Sequence, residues 1–310
     1  MRQFSWFITA ALIAALGTMP VWGSQYLIAL GLMFLVYVAL AQMWNLLAGF
    51  SGMMSLGQQS FIGLGGYSLA VFSVYHGVPL WLSVFLGGVV SLLFALVIST
   101  PLFRMKGVYF AVGTWILAEA LGICFSNWSY VRYGMGLFIQ PAYKVSLNQI
   151  YYAGLLVGTG SVALVYALLR SKLGLGLMAM RDDEEAAQNA GVSVFRCKLF
   201  CFLTAALVTG LAAGVLYVHQ IFIQPYKAFS IDWTVRLLFI VIIGGIGTIE
   251  GPIIGAAIFV ILQQLFSDWP GAGMLLLGAV GILVMLLAPK GIVGTLNERF
   301  GFEIFSLRRE

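Results

Sequence analysis

Charge is what this sequence has least of. Lys, Arg, Asp and Glu make up 9% of its 310 residues, against roughly 25% in an average soluble domain. Hydrophobic residues make up 61% and the mean hydropathy is +1.01, so an ordinary soluble globular chain is excluded. Histidine is nearly absent: His76 and His219 are the only two, and no HExxH pattern marks a zinc hydrolase. The three cysteines, Cys124, Cys197 and Cys201, include no Cys-x-x-Cys pair and read as small core hydrophobes. There is no Gly-Lys dipeptide, hence no phosphate-cradling Walker loop. A Gly-x-Ser-x-Gly nucleophile elbow is missing as well. This inventory predicts no catalytic site, no metal and no cofactor. If the protein uses ATP, the nucleotide binds to another chain.

What the chain does have is apolar runs. Stretches of about 20 apolar residues cross a hydrocarbon core of about 30 Å as helices. Because lipid offers no hydrogen bonds to the backbone, repeated runs of that length predict an all-α polytopic bundle. Spans are expected near 4–22, 26–48, 58–76, 80–103, 108–127, 149–169, 199–219, 236–249, 251–267 and 274–289, about eight to ten in all. The pair 236–249 and 251–267 is short and interrupted by Gly244, Gly245, Gly247, Gly251 and Pro252. It reads either as two spans or as one hairpin re-entering from outside. The first 23 residues could also pass for a cleavable secretory signal, although a first span followed by another apolar run usually stays.

The net charge of +5 reports topology and not a nucleic-acid partner. With the N-terminus inside, the inner segments hold Arg2, Arg104, Lys106, Arg170, Lys172, Arg181, Arg196, Lys198, Lys290, Arg299, Arg308 and Arg309. The outer segments hold only Arg132, Lys144, Lys227 and Arg236. That is the positive-inside bias, and it places both termini inside.

Three features stand out against the apolar background. Glu119 lies deep within a span, where a charge costs about 2.5–3.5 kcal/mol. Two readings stand: a pathway or gating residue, or a protonated carboxyl bonded to a neighbouring helix. The segment from Asn45 to Tyr67 is rich in glycine and polar side chains between two spans. Asn45, Ser51, Ser55, Gln58 and Gln59 would be wasted against lipid, and broken helices often build transport sites. They are candidate walls of a translocation pathway, with tight small-residue packing as the plainer alternative. For 244–255 the spaced glycines favour packing.

The third feature is a hydrophilic island at 170–198, holding nine of the 27 charged residues. Asp182 followed by Glu185 predicts a capping box, and acidic residues from Asp182 to Glu185 oppose the helix dipole. Gly191 suits a left-handed cap. A slim helix over 182–190, of two to three turns, is expected, with Ala186 and Ala187 small enough for it to enter a groove on a soluble partner.

Met180 to Phe202, continuing through Ala205 to Tyr217, resembles the coupling segment of the LivM-type permeases of ATP-binding-cassette importers for branched-chain amino acids. Asn45 to Tyr67, with its Ser-Leu-Gly-Gln core, and Gly244 to Ala256 agree in the same order, so the resemblance covers roughly 45–290. It implies a single permease domain over 1–310 in a bacterial inner membrane, with a cytoplasmic coupling loop at 170–198. It also implies a second related permease, two cytoplasmic ATPases and a soluble solute-binding protein outside. On that pattern Arg181, Asp182, Asp183, Glu184, Glu185, Ala186, Ala187 and Gly191 couple to an ATPase. The implied cargo is a small polar solute, first among them an amino acid; similar permeases carry urea, short amides or small carboxylates. Two departures are Leu175, where many relatives have Arg, and Tyr130 to Leu137, which replaces a usual Leu-Thr-Gly-Gly stretch.

Overall fold

The computed structural model describes residues 2–266 and 270–300. Arg308 and Arg309, counted in the charge asymmetry, and residue 267, the end of one expected span, lie outside the described residues.

The helices run in order as α1 (Arg2–Trp22), α2 (Gln25–Asn45), α3 (Gln58–Val74), α4 (Leu80–Leu102), α5 (Val108–Asn127), α6 (Leu147–Arg170) and α7 (Lys172–Asp182). Then come α8 (Glu184–Asn189), α9 (Val194–Gln220), α10 (Pro225–Ala228), α11 (Asp232–Gly244), α12 (Glu250–Leu265), α13 (Pro270–Leu287) and α14 (Gly291–Phe300). A π-helical turn, Leu46–Phe50, extends α2. Among the described residues the only sheet is a two-residue antiparallel pair, Leu137–Phe138 with Phe222–Ile223, which ties the loop after α5 to the end of α9. Polar side chains mark helix starts as capping predicts. Ser24 accepts from the Leu27 amide at 3.3 Å, and Ser146 and Gln149 form a reciprocal box at α6.

Among the described residues, six stretches are long and apolar enough to cross a membrane: Gln25–Phe50, Leu80–Leu102, Val108–Asn127, Leu147–Arg170, Val194–Gln220 and Gly278–Asn297. Leu12–Trp22 and Glu250–Leu265 are shorter apolar helices. The protein is an all-α polytopic membrane protein. Its centre is α2 and α9, whose most apolar windows are 72% and 67% buried, whereas that of α5 is 22% buried and lies at the edge.

Close approach of backbones explains much of the glycine. A Cβ on Gly65 of α3 would sit 2.5 Å from the Gly210 carbonyl oxygen of α9, and one on Gly87 of α4 would sit 2.6 Å from the Gly65 carbonyl oxygen. Three helices therefore meet through bare backbone, as small residues allow in membranes. Gly65→Ala is expected to destabilise the subunit by about 1–3 kcal/mol, the range for overpacking, read as a lowered thermal midpoint in detergent.

The segment 236–267, expected as two spans or one re-entrant hairpin, folds as the short helices α11 and α12. The α11 helix starts at the level of Tyr37, midway along α2, where Trp233 meets the Tyr37 ring at 6.4 Å and Arg236 donates to its hydroxyl at 3.3 Å, and it ends at a bend that touches Gly49. The α12 helix returns antiparallel, with Gly251 against Gly244 and Gly255 against Ile240. The segment is thus a hairpin of two short helices with its turn on the side of the charged loop. At 1.5 Å per residue the arms are only about 20 and 24 Å long, which is why neither reads as a full span. The glycines at 244–255 serve this packing.

Candidate coupling and translocation site

The charged island folds as two helices and not one. Ser171 ends α6 and starts α7, donating to the Leu168 carbonyl at 2.6 Å and accepting from the Leu173 amide at 3.2 Å. The α7 helix runs to Asp182, burying Gly174, Gly176, Leu177 and Met180. Sequence reasoning missed it because Gly174 and Gly176 weigh against helix. The expected cap shifts by one position as a result: Asp182 closes α7, and Asp183 is the extended residue that starts α8. The Asp183 carboxylate accepts from the Glu185 and Ala186 amides at 2.9 and 3.0 Å. The 182–190 helix is therefore six residues, Glu184–Asn189, with no Glu185 side chain reaching back to Asp182. Gly191, at φ +86°, takes the left-handed conformation expected of it, and the Val192 amide donates to the Ala187 carbonyl at 3.0 Å.

Two contacts seat this short helix on the bundle. Ala187 is buried in an apolar cluster with Leu46, Phe50, Phe61 and Phe202. Glu184 accepts from Lys198 Nζ at 2.7 Å, and that lysine side chain is only 10% exposed. The opposite face, Glu185, Ala186, Gln188 and Asn189, is exposed. Glu185 also lies 3.9 Å from Lys106, but both side chains are mostly in solvent, where such pairs contribute little.

Arg181 links the island to the membrane helices. Its Nε and Nη2 donate to Asp182 at 3.3 Å, and its Nη1 donates to the Gly49 carbonyl at 3.1 Å. That carbonyl belongs to the π-turn. On the other side of the turn, Asn45 is fully buried. Its Nδ2 donates to the Thr248 carbonyl at 2.8 Å and its Oδ1 accepts from the Gly247 amide at 2.9 Å. Gln42, which sequence reasoning overlooked, donates to the Ile249 carbonyl at 2.6 Å. The backbone of the α11–α12 bend, where Gly245 and Gly247 have positive φ, is thus bound by side chains of α2, as a buried irregular backbone requires. No space is left over: a Cβ on Gly49 would overlap Asn45 Oδ1 and the Gly247 nitrogen.

The other candidate wall residues face inward. Ser51 donates to the Leu47 carbonyl at 2.7 Å, and Ser55 accepts from the Gly57 amide at 3.3 Å. Gln58 bonds Thr209 of α9, and Gln59 bonds Thr234 of α11. Thr114 of α5 accepts from the Leu56 amide at 3.1 Å. Sequence gave no signal for these three threonines beyond their being lone polar residues in apolar helices. Several buried atoms near the start of α3 have no hydrogen-bond partner, among them Gln58 Oε1, Gln59 Nε2 and Ser60 Oγ. Glu119 does not join this group. It projects from the exposed side of α5, where the Trp115 indole donates to it at 3.2 Å, and among the described residues it bonds no other helix.

Residues 26–288 match the family described as branched-chain amino acid transport system / permease component. The chain is 27% identical over 319 residues to the high-affinity branched-chain amino acid transport system permease protein LivM of Salmonella typhimurium, covering 93% of this chain and 74% of that one. The Escherichia coli LivM protein is 26% identical over the same coverage. A probable branched-chain amino acid transport permease protein, LivH, from Methanocaldococcus jannaschii is 27% identical over 58% of this chain and 57% of its own. No solved structure matches the chain. With a bundle of apolar helices matched from the second helix to the end of the thirteenth, the chain belongs to the family of permease components of branched-chain amino acid transport systems.

Proposed function

We propose that this chain is one permease subunit of an ATP-binding-cassette importer, residues 1–310 working as one translocation unit for an amino acid with an apolar side chain. A second related permease completes the pathway, two ATPases bind beneath, and a soluble binding protein delivers the solute from outside. Both termini and the charged loop face the cytoplasm. The placement of the cations supports this: Arg104, Lys106, Arg170, Lys172, Arg181, Arg196 and Lys198 flank helix ends on the charged-loop side, as the positive-inside rule requires.

The observation that carries the reading is the link from Arg181 through Gly49 and Asn45 to Gly247 and Thr248. A push on the exposed face of α8 passes along α7 to the π-turn, and from there to the bend between α11 and α12. Substrate access changes as that bend and the start of α3 shift together. The unpartnered atoms of Gln58, Gln59 and Ser60 support a second arrangement, because each buried unpaired group costs about 1–3 kcal/mol in this one. Asn45, Ser51, Ser55, Gln58 and Gln59 then back the pathway wall. Glu119, on the outward side of α5, faces the second permease or the wet pathway between the two.

The test is reconstitution in proteoliposomes. Uptake of leucine is expected only with both permeases, the ATPases, the binding protein and ATP. Solute movement by this subunit alone down an ion gradient would overturn the reading.

A further inference from the structure

At the end opposite the charged loop, a cavity of about 690 Å³ opens between the start of α2, the end of α9, α10, the first turns of α11 and the last turn of α12. That volume lies within the range of small-molecule sites, about 300–1,000 Å³. Three charged side chains line it: Lys227, Asp232 and Arg236. Asp232 and Arg236 stand one turn apart on α11, a spacing at which opposite charges normally pair. Among the described residues neither has an ionic partner. Arg236 instead donates to the Tyr37 hydroxyl at 3.3 Å, with its guanidinium 5.4 Å from the Trp233 ring. A cation and an anion one turn apart on α11 thus both line the cavity without pairing with each other. Met33, Leu216 and Val260 supply an apolar wall beside them.

The geometry points to a binding site for an α-amino acid in its zwitterionic form. The ligand carboxylate meets Arg236 in a charge-assisted hydrogen bond, the ammonium meets Asp232, and a branched aliphatic side chain lies against the apolar wall. Lys227, exposed at the rim, draws the carboxylate inward. An anionic lipid headgroup would also find Arg236 and Lys227, but Asp232 would repel it. This inference rests on the permease reading and names a receiving site for its cargo.

The test uses the purified assembly of permeases and ATPases, without nucleotide or binding protein, and measures tritiated L-leucine binding by scintillation proximity. Saturable binding is expected, weakened at least about tenfold, or 1.4 kcal/mol, by Arg236→Gln and by Asp232→Asn, and partly kept in Arg236→Lys. Isocaproate, which lacks the ammonium, and isoamylamine, which lacks the carboxylate, should each compete at least about tenfold more weakly than leucine. No saturable binding, parent-level binding by either charge-removing variant, or isocaproate competing as well as leucine would overturn the site. Loss of a bound phospholipid from Arg236→Gln in native mass spectra, with no leucine bound by the parent assembly, would assign the cavity to lipid and overturn it too. ATP-driven uptake, measured in parallel with binding protein added, separates the two failures. If uptake persists without the site, only this inference falls; if ATP drives none, the importer reading falls.

Discussion

Ala186→Trp is expected to cut ATP-driven uptake at least about tenfold while the folded subunit remains in the membrane at its normal level. Ala186 is on the exposed face of α8, opposite the buried Ala187, so a large side chain there meets nothing inside the subunit. Only a protein seated on that face would feel it. Overpacking a fitted contact costs about 1–3 kcal/mol, and 1.4 kcal/mol is a tenfold loss of affinity. The measurement is transport alongside the amount of ATPase retained on the purified permease. Full uptake with normal ATPase retention would mean that the exposed face of α8 touches no partner. A substitution at Ala187 would be less informative, because it would unseat α8 from its own apolar cluster.

The second large effect belongs to Asn45, buried at the end of α2. Asn45→Ala is expected to lower stability by about 2–6 kcal/mol, because the Gly247 amide and the Thr248 carbonyl would both be left buried and unpaired at about 1–3 kcal/mol each. Ser51→Ala should change stability by less than about 1 kcal/mol. Its hydroxyl bonds only the Leu47 carbonyl one turn back, and that oxygen also accepts from the Met53 amide. Thermal midpoints in detergent separate the two variants. Equal losses would mean that Asn45 does not brace the bend. Assemblies holding the residual Asn45→Ala subunit should also move less solute per ATP that the ATPases hydrolyse, since the route from Arg181 to α11 and α12 runs past that side chain.

Much of this arrangement was legible before any coordinates. Apolar runs of membrane length mark α2, α4, α5, α6 and α9 within a residue or a few of their ends, because in lipid the backbone has little choice but helix. Polar residues in such surroundings announce that they are buried in protein, and Asn45, Gln58 and Gln59 are. Their partners were not legible. Thr209, Thr234 and Thr248 lie some 150–200 positions further on, and no local pattern reports a contact at that separation. The α11–α12 pair was ambiguous for a different reason: its arms are too short for the length rule to decide. The cap of α8 was misplaced because Asp182 and Asp183 are chemically alike, and only the hidden helix α7 decides which of them is free to turn back on the amides.

The position of Glu119 bears on how the cell must make this protein. In the proposed importer, a copy inserted without the second permease would present a carboxyl group and its indole donor to acyl chains, a liability of about 2.5–3.5 kcal/mol if charged. That favours the covered state roughly a hundredfold. On the proposed importer reading, unmatched copies would therefore be conspicuous to membrane quality control, and matched synthesis of the second permease is the expected consequence of this single outward-facing acid.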